Sequence, residues 1–291
     1  MRYARPFAFL AACGFALAIY LTAHANDKPQ PEPKADEAPA ARAALVAKPP
    51  APLRVLLVTG GCCHDYNGQK AVLADGLKKR ANVEVTTVHD MEKEAGGTKH
   101  FVSIYKKDKW WDGYDVVIHN ECYADVKDKP FVDGILAAHK DAGVPAINLH
   151  CAMHCYRVDF NKYKDWFEFT GVDTRRHGPQ QPIDIDFIKK DHPIVKGMEN
   201  WTTINEELYQ IEQTFENVTV LATGTNKAQG KNDLIWINTF GPKNTRVFST
   251  TLGHNTKTMA DDRYLDLLTR GVLWACNKLN DDGTPMKGYG K

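Results

Sequence analysis

Four short apolar runs in this chain each break off into residues that carry chemistry. Residues 55–59 lead into Gly60-Gly61-Cys62-Cys63-His64-Asp65, and residues 114–118 into His119-Asn120-Glu121-Cys122. Residues 144–149 lead into His150-Cys151-Ala152-Met153-His154-Cys155, and residues 247–252 into Gly253-His254-Asn255. In an open parallel α/β sheet, ligands bind outside the carboxyl ends of the strands. If these runs are neighbouring parallel strands, their His, Cys and Glu side chains share one edge of the sheet.

His150 and His154 are four apart, and Cys151 and Cys155 repeat that spacing one residue on. If a helix begins at Cys151, each pair shares a face. Neutral imidazole and thiolate suit zinc and similar divalent cations. His64, Glu121 and His254 are placed to complete such a site, with His64, His150 and His254 as leading metal ligands and His154 as a further one. The spacing matches no closed zinc motif, and His154 and Cys155 also read as packed residues. Cys151 is the alternative nucleophile, with His254 as its base. Its neighbours Leu149, His150, Ala152 and Met153 lack the glycines of a nucleophile elbow. A disulfide joining Cys62 or Cys63 to Cys151 or Cys155 is a third use of these sulfurs.

Gly60-Gly61 lets a ligand approach the backbone closely beside His64 and Asp65. No G-x-G-x-x-G follows the run and no C-x-x-C-H occurs, so neither NAD nor covalent haem is expected. In Asn205-Glu206-Glu207-Leu208-Tyr209, strand alternation sends Glu207 and Tyr209 to one face and Glu206 and Leu208 to the other. Glu207 near a histidine suits acid–base work on a sugar, whereas Glu206 reads as a surface residue. Trp110, Trp111, Tyr123, Tyr156, Trp166, Trp201 and Tyr209 suit stacking on a sugar ring or packing in the core.

The elements that must position these groups are legible in the pattern. Strands are expected over 54–59, 83–88, 114–119 and 144–149, with helices over 68–80 and 130–141. That order implies right-handed crossovers and an α/β fold, a mostly parallel sheet with helices on both faces. The second half reads as a strand over 183–188, extended segments over 202–211 and 218–223, a hairpin of 233–240 with 245–251, and an amphipathic helix over 261–279. Residues 92–109 are charged and ambiguous.

Residues 1–25 read as a secretory signal, with Arg2 and Arg5, an apolar stretch over 7–21 and Ala23-His24-Ala25 as cleavage site. A secreted or periplasmic protein follows, touching a membrane only through an uncleaved signal or a lipid on Cys13. Residues 26–52 form a linker that holds seven of the 15 prolines and cannot repay the entropy of ordering. Residues 53–279 make one α/β domain, and 280–291 a flexible tail. A net charge of +1, with no basic stripe, gives no footprint for nucleic acid.

These motifs also carry a family resemblance. The residues Val55-Leu56-Leu57-Val58-Thr59-Gly60 with His64, Tyr114-Asp115-Val116-Val117, Gly143-Val144-Pro145 through His150, and Asp191-His192-Pro193-Ile194 with Gly197 run in order. Glu206-Glu207-Leu208-Tyr209 and Gly253-His254 leading to Arg270-Gly271-Val272-Leu273-Trp274-Ala275 complete the series. Together they resemble the trehalose-utilisation (ThuA-like) domains of the class I glutamine amidotransferase-like superfamily. The resemblance implies a flavodoxin-like fold and a role in carbohydrate metabolism, on trehalose or another disaccharide through keto-sugar intermediates. Small residues are usual after His150 in that family, and Cys151 through Cys155 depart from this. The amidotransferase motif of Cys flanked by Gly is absent, which argues against glutamine hydrolysis. The expected function is thus a metal-assisted lyase, isomerase or hydrolase acting on a small sugar. The alternatives are a non-catalytic carbohydrate-binding module and a Cys151-dependent hydrolase. His150, His254 and Glu207 are the expected catalytic residues, and His64, Asp65, Glu121 and Tyr209 the expected substrate contacts.

Overall fold

A computed structural model describes residues 49–91, 97–159 and 161–291. The signal segment and nearly all of the linker lie outside the described residues. The apolar runs become the strands β1 (Leu53–Gly61), β3 (Val116–Cys122) and β4 (Ala146–Leu149), with β2 (Val83–His89) outside β1. The remaining strands are β5 (Val172–His177), β6 (Gln181–Phe187), β7 (Trp201–Glu206), β8 (Tyr209–Thr214), β9 (Thr219–Asn226), β10 (Gly230–Phe240) and β11 (Thr245–Thr250). Nine of them form one sheet in the order β2-β1-β3-β4-β11-β10-β9-β6-β7. The five from β2 to β11 are mutually parallel, and β10, β9, β6 and β7 extend the sheet antiparallel. β5 and β8 pair separately.

The strands β1, β3, β4 and β11 are therefore adjacent, and their carboxyl ends meet at one edge. Successive residues of β1 face opposite sides. Val55 and Leu57 pack with Leu73, Leu77, Leu267 and Val272, on the side of α1 (Tyr66–Arg80) and α5 (Asp262–Ala275). Leu56 and Val58 pack with Ile135, Leu136 and Phe169, on the side of α2 (Lys129–Lys140) and α3 (Asp165–Thr170). Each main helix starts on a carboxylate cap that satisfies an orphan N–H: Asp65 accepts from Gly68, Asp128 from Phe131 and Asp261 from Arg263. A short helix, α4 (Thr256–Met259), follows the β11 loop. Among the described residues, no helix is long and apolar enough to cross a membrane.

Several expectations are corrected. The extended segment 202–211 is two strands in different sheets, because the chain turns at Glu207-Leu208. No α-helix starts at Cys151; residues His150–His154 make a single tight turn. Within 92–109, residues 92–96 lie outside the described ones and Ser103–Lys106 form a short turn. The last helix stops at Ala275. The segment after Leu279 is not loose: Asn82 donates its N–H to Tyr289 O, and Gly290 bridges Ala81.

Candidate active site

Local backbone chemistry brings the site residues together. Gly60 and Gly61 have φ of 140° and 110°, a region that excludes side chains, and a Cβ on Gly61 would lie 2.3 Å from Cys122 O. The two glycines thus lay the end of β1 against β3 and deliver His64 to the crevice. On the neighbouring strand His150 occupies the sharp turn after β4 with φ of 48°, in the left-handed region. The sharp strand-to-turn position belongs to His150 and not to Cys151. A strained residue persists where its surroundings over-determine it, and such residues cluster at functional sites.

His150 Nδ1 lies 2.6 Å from the carbonyl oxygen of Thr251. A carbonyl can only accept, so Nδ1 carries a proton, and in the neutral ring Nε2 presents a lone pair. His64 Nδ1 lies 3.2 Å from Cys62 O and 3.0 Å from the Tyr66 hydroxyl. Donation to that carbonyl likewise leaves His64 Nε2 as an acceptor. The two Nε2 atoms stand 3.0 Å apart. Glu207 Oε2 is 3.3 Å from His150 Nε2 and 3.4 Å from His177 Nε2, while Oε1 is 3.1 Å from His254 Nδ1. Donor atoms of His64, His150, Glu207 and His254 all lie within 4.8 Å of one another.

The electrostatics are coupled. Burial, helped by the nearby His150 and His254, pushes the His64 imidazole down to about 3. Burial works to raise the Glu207 carboxyl, but the imidazoles of His150, His254 and His177 packed around it outweigh that and hold it well below the usual range. The hydrogen bond to Glu207 raises His254 against the opposing effect of burial. With Nδ1 facing Glu207, His254 Nε2 points to the side-chain amide of Gln180 at 2.8 Å. Beside His64 and His254 opens a cleft of about 680 Å³, lined also by Gly61, Cys63, Asp65 and Lys257.

Two residues hold the β11 loop. Glu206 is fully buried, and its carboxylate accepts the N–H groups of Gly253 (3.3 Å), His254 (2.9 Å) and Asn255 (2.9 Å). Gln69 of α1, also buried, donates to the carbonyls of Gly253 (3.1 Å) and His254 (3.3 Å). The surface reading of Glu206 is therefore wrong: the turn at Glu207-Leu208 breaks strict alternation, and both carboxylates face inward. His177 and Gln180 had no signal of their own in the sequence; they reach Glu207 from the end of β5 and the turn after it.

Other expected residues go elsewhere. Glu121 does not reach the cleft. It shares the α2 side of β3 with His119, fully buried, and its Oε1 takes a hydrogen bond from the Tyr105 hydroxyl at 2.8 Å. His139 Nδ1 donates to Val144 O (2.7 Å), so His139 Nε2 accepts from His119 Nε2 (3.1 Å), and His119 Nδ1 turns to Glu121 Oε1 (2.9 Å). His154 is not in the donor set: it stacks on Tyr209 at 4.0 Å between ring centroids, and its Nε2 meets Thr174 Oγ1 at 3.3 Å. Tyr209 is itself buried, a platform beneath His150 and His154 and not a substrate contact. Asp65 is the α1 cap and accepts from the Thr256 hydroxyl at the cleft rim.

The Cys151–His254 dyad is not formed, because Cys151 is disulfide-bonded to Cys122. The second disulfide joins Cys62 to Cys63, so the expected cross-pairing to Cys151 or Cys155 is also corrected. Cys155 is buried, and burial pushes its thiol well up. Among the described residues, no Trp or Tyr lines the cleft; Trp110, Tyr123, Tyr156 and Trp166 are core residues, and Arg263 covers Trp201 at 4.2 Å.

The parallel half-sheet in the order β2-β1-β3-β4-β11, with helices on both faces, makes this a flavodoxin-like α/β domain, and a histidine–carboxylate cluster sits at its carboxyl edge. The ThuA family model, described as trehalose utilisation, matches residues 54–275, and the chain belongs to that family. A protein described as ThuA-like from Parabacteroides merdae ATCC 43184 is 20% identical, with a TM-score of 0.59 over 82% of this chain and 97% of that one. Another described as ThuA-like, from Bacteroides uniformis ATCC 8492, is 17% identical, with a TM-score of 0.54 over 77% of this chain and 92% of that one. At those identities the likeness speaks for the fold. Among curated proteins, none matches the chain.

Proposed function

We propose that the protein is a metal-assisted enzyme of disaccharide metabolism that acts on a keto-sugar, as a lyase, isomerase or hydrolase, outside the cytoplasm. The observation that carries this reading is the meeting of two imidazole lone pairs. His64 and His150 each commit Nδ1 to a backbone carbonyl and turn Nε2 to the other, 3.0 Å apart. A divalent cation satisfies both acceptors. A ligating histidine whose other nitrogen donates to a backbone carbonyl is the usual second shell of a metal site. His64, His150 and Glu207 would hold the ion, with His254 beside them. Neutral nitrogen and carboxylate donors suit zinc and its neighbours.

When bound, such an ion polarises a ketone oxygen as a Lewis acid. The chain's own residues supply the rest. A ketone acidifies the C–H next to it, and removal of that proton is the step common to isomerisation and to elimination of a glycosidic oxygen. His254 lines the cleft, and Glu207 holds its Nδ1, so that Nε2 is the atom that exchanges a proton with substrate. Gln180 contacts that nitrogen and marks where a sugar hydroxyl or carbonyl would sit. The family membership supports a sugar substrate, and the leader-like residues 1–25 and the two disulfides support a secreted or periplasmic location.

The test is turnover of a keto-disaccharide beside its parent trehalose, with the protein stripped of metal and then reloaded. The reading predicts activity on the keto form only, restored by a divalent cation, and lost by about a hundredfold or more in His254→Ala and Glu207→Gln. Equal activity in the variants, or no turnover of any keto-disaccharide with any added cation, would overturn it.

A further inference from the structure

Four sulfurs meet beside the histidines, and the chemistry proposed above uses none of them. Cys62 and Cys63 follow the apolar part of β1, Cys122 ends β3, and Cys151 follows His150. They are joined as Cys62–Cys63 and Cys122–Cys151, and the two bonds touch: Cys62 Sγ lies 3.7 Å from Cys122 Sγ. Access is graded along the cluster. Cys63 is exposed at the cleft, whereas Cys62, Cys122 and Cys151 are buried at 7%, 3% and 8% exposure. At the inner end, a ring nitrogen of His64 and the sulfurs of Cys122 and Cys151 lie within 4.8 Å of one another.

We propose that these cysteines form a thiol–disulfide relay that opens Cys122–Cys151 and hands two thiols to His64, making a second donor set for a thiophilic cation. The electrons come from an external dithiol. Its thiolate attacks Cys63, the one exposed sulfur, and Cys62 leaves as a thiolate. Cys62 then attacks the neighbouring Cys122 sulfur, forming a Cys62–Cys122 bond and releasing Cys151. The second thiol of the reductant attacks its own sulfur in the mixed disulfide, closes to a disulfide and frees Cys63. Cys63 attacks Cys62, restores Cys62–Cys63 and releases Cys122. Two electrons and two protons pass from the external dithiol to Cys122 and Cys151, and every other bond is regenerated. The relay is needed because Cys122 and Cys151 are themselves shielded from a thiol in solution. It stands independently of the sugar chemistry, since neither substrate nor activity enters its test.

The test uses the full chain, alkylated in the native state and mapped by non-reducing peptide mass spectrometry. In Cys63→Ser, Cys62 has lost its partner and no residue can resolve its attack. A Cys62–Cys122 link with Cys151 alkylated is expected in a substantial fraction of molecules. In Cys62→Ser, opening of Cys122–Cys151 by limiting dithiothreitol should slow by about tenfold or more. Near-ultraviolet circular dichroism, matched to the wild type, shows that each variant is folded. If Cys62 alone is alkylated in Cys63→Ser, or if Cys62→Ser opens as fast as the wild type, the relay is wrong. Reduced wild type titrated with Co²⁺ should show sulfur-to-cobalt charge transfer that Cys122→Ser/Cys151→Ser loses. Its absence, or its persistence in that double variant, would remove the second donor set.

Discussion

Replacing Glu206 by Gln should loosen the β11 loop and cost the fold a measurable amount, although Glu206 does not line the cleft. The wild-type carboxylate is fully buried and accepts three N–H groups, from Gly253, His254 and Asn255. A glutamine keeps one acceptor. In its better orientation the remaining oxygen serves Gly253 and His254, and the amide nitrogen is turned on the Asn255 N–H, donor against donor. One buried N–H then goes unsatisfied at ~1–3 kcal/mol, and the surviving bonds lose their charge assistance, so the total is about 3 kcal/mol. For a domain of this size that is a fall in Tm of roughly 6–12 °C. Differential scanning calorimetry measures it, with Glu199→Gln as an exposed control that should change Tm little. A Glu206→Gln protein that melts within about 2 °C of wild type would refute the claim that this carboxylate fixes the loop carrying His254.

Further outcomes follow from the same geometry. His64 titrates near 6.5 when unfolded but is pushed down to about 3 when folded. Between those values the unfolded chain binds a proton that the folded chain lacks, so stability is full above 6.5 and falls as pH drops. At pH 5 the loss is about 2 kcal/mol, and urea unfolding of metal-free protein against His64→Gln should show a flatter slope in the variant. Glu207 adds to the same trend, its contribution present above the ordinary carboxyl value and lost as pH falls towards its depressed one. His254, being raised, contributes below 6.5 and loses that contribution as pH climbs through its folded value. Glu121→Ala should cost about 3 kcal/mol by leaving a cavity in the core and taking the acceptor from the Tyr156 hydroxyl, while the Tyr105 hydroxyl keeps His119 Nδ1 at 3.1 Å. Metal content per folded molecule should be unchanged, and loss of the metal in that variant would return Glu121 to the site.

The parallel half of the fold was legible because buried parallel strands are written as short β-branched runs, and each of these runs ended in polar residues. That pattern located the edge, where His64, His150 and His254 stand together with Glu207. It misplaced Glu121, because a strand end alone does not say which face a side chain takes; sharing the His119 face sends it into the α2 side. It misjudged Glu206, because alternation was extended through a turn that the residues Glu207-Leu208 do not announce. β5, α3 and α4 are short, and their boundaries depend on tertiary contacts such as Asn238 of β10 donating to the Phe169 carbonyl. His177 and Gln180 come to the site only because β5 pairs with β8, a long-range pairing that no local pattern encodes. The sulfur pairing depends on the adjacency of β1, β3 and β4, which places Cys122 between Cys62 and Cys151.

Elemental analysis decides whether the two imidazoles of His64 and His150 converge on a cation. The protein is purified without chelator or affinity tag, and its metal content is compared with that of His64→Ala/His150→Ala, with folding of both checked by circular dichroism. About one divalent ion per chain in the wild type, lost in the double variant, is the predicted result. A folded wild type that holds no metal, and takes up none from added Zn²⁺ or Mn²⁺, would contradict it, as would a variant that binds as much as the wild type.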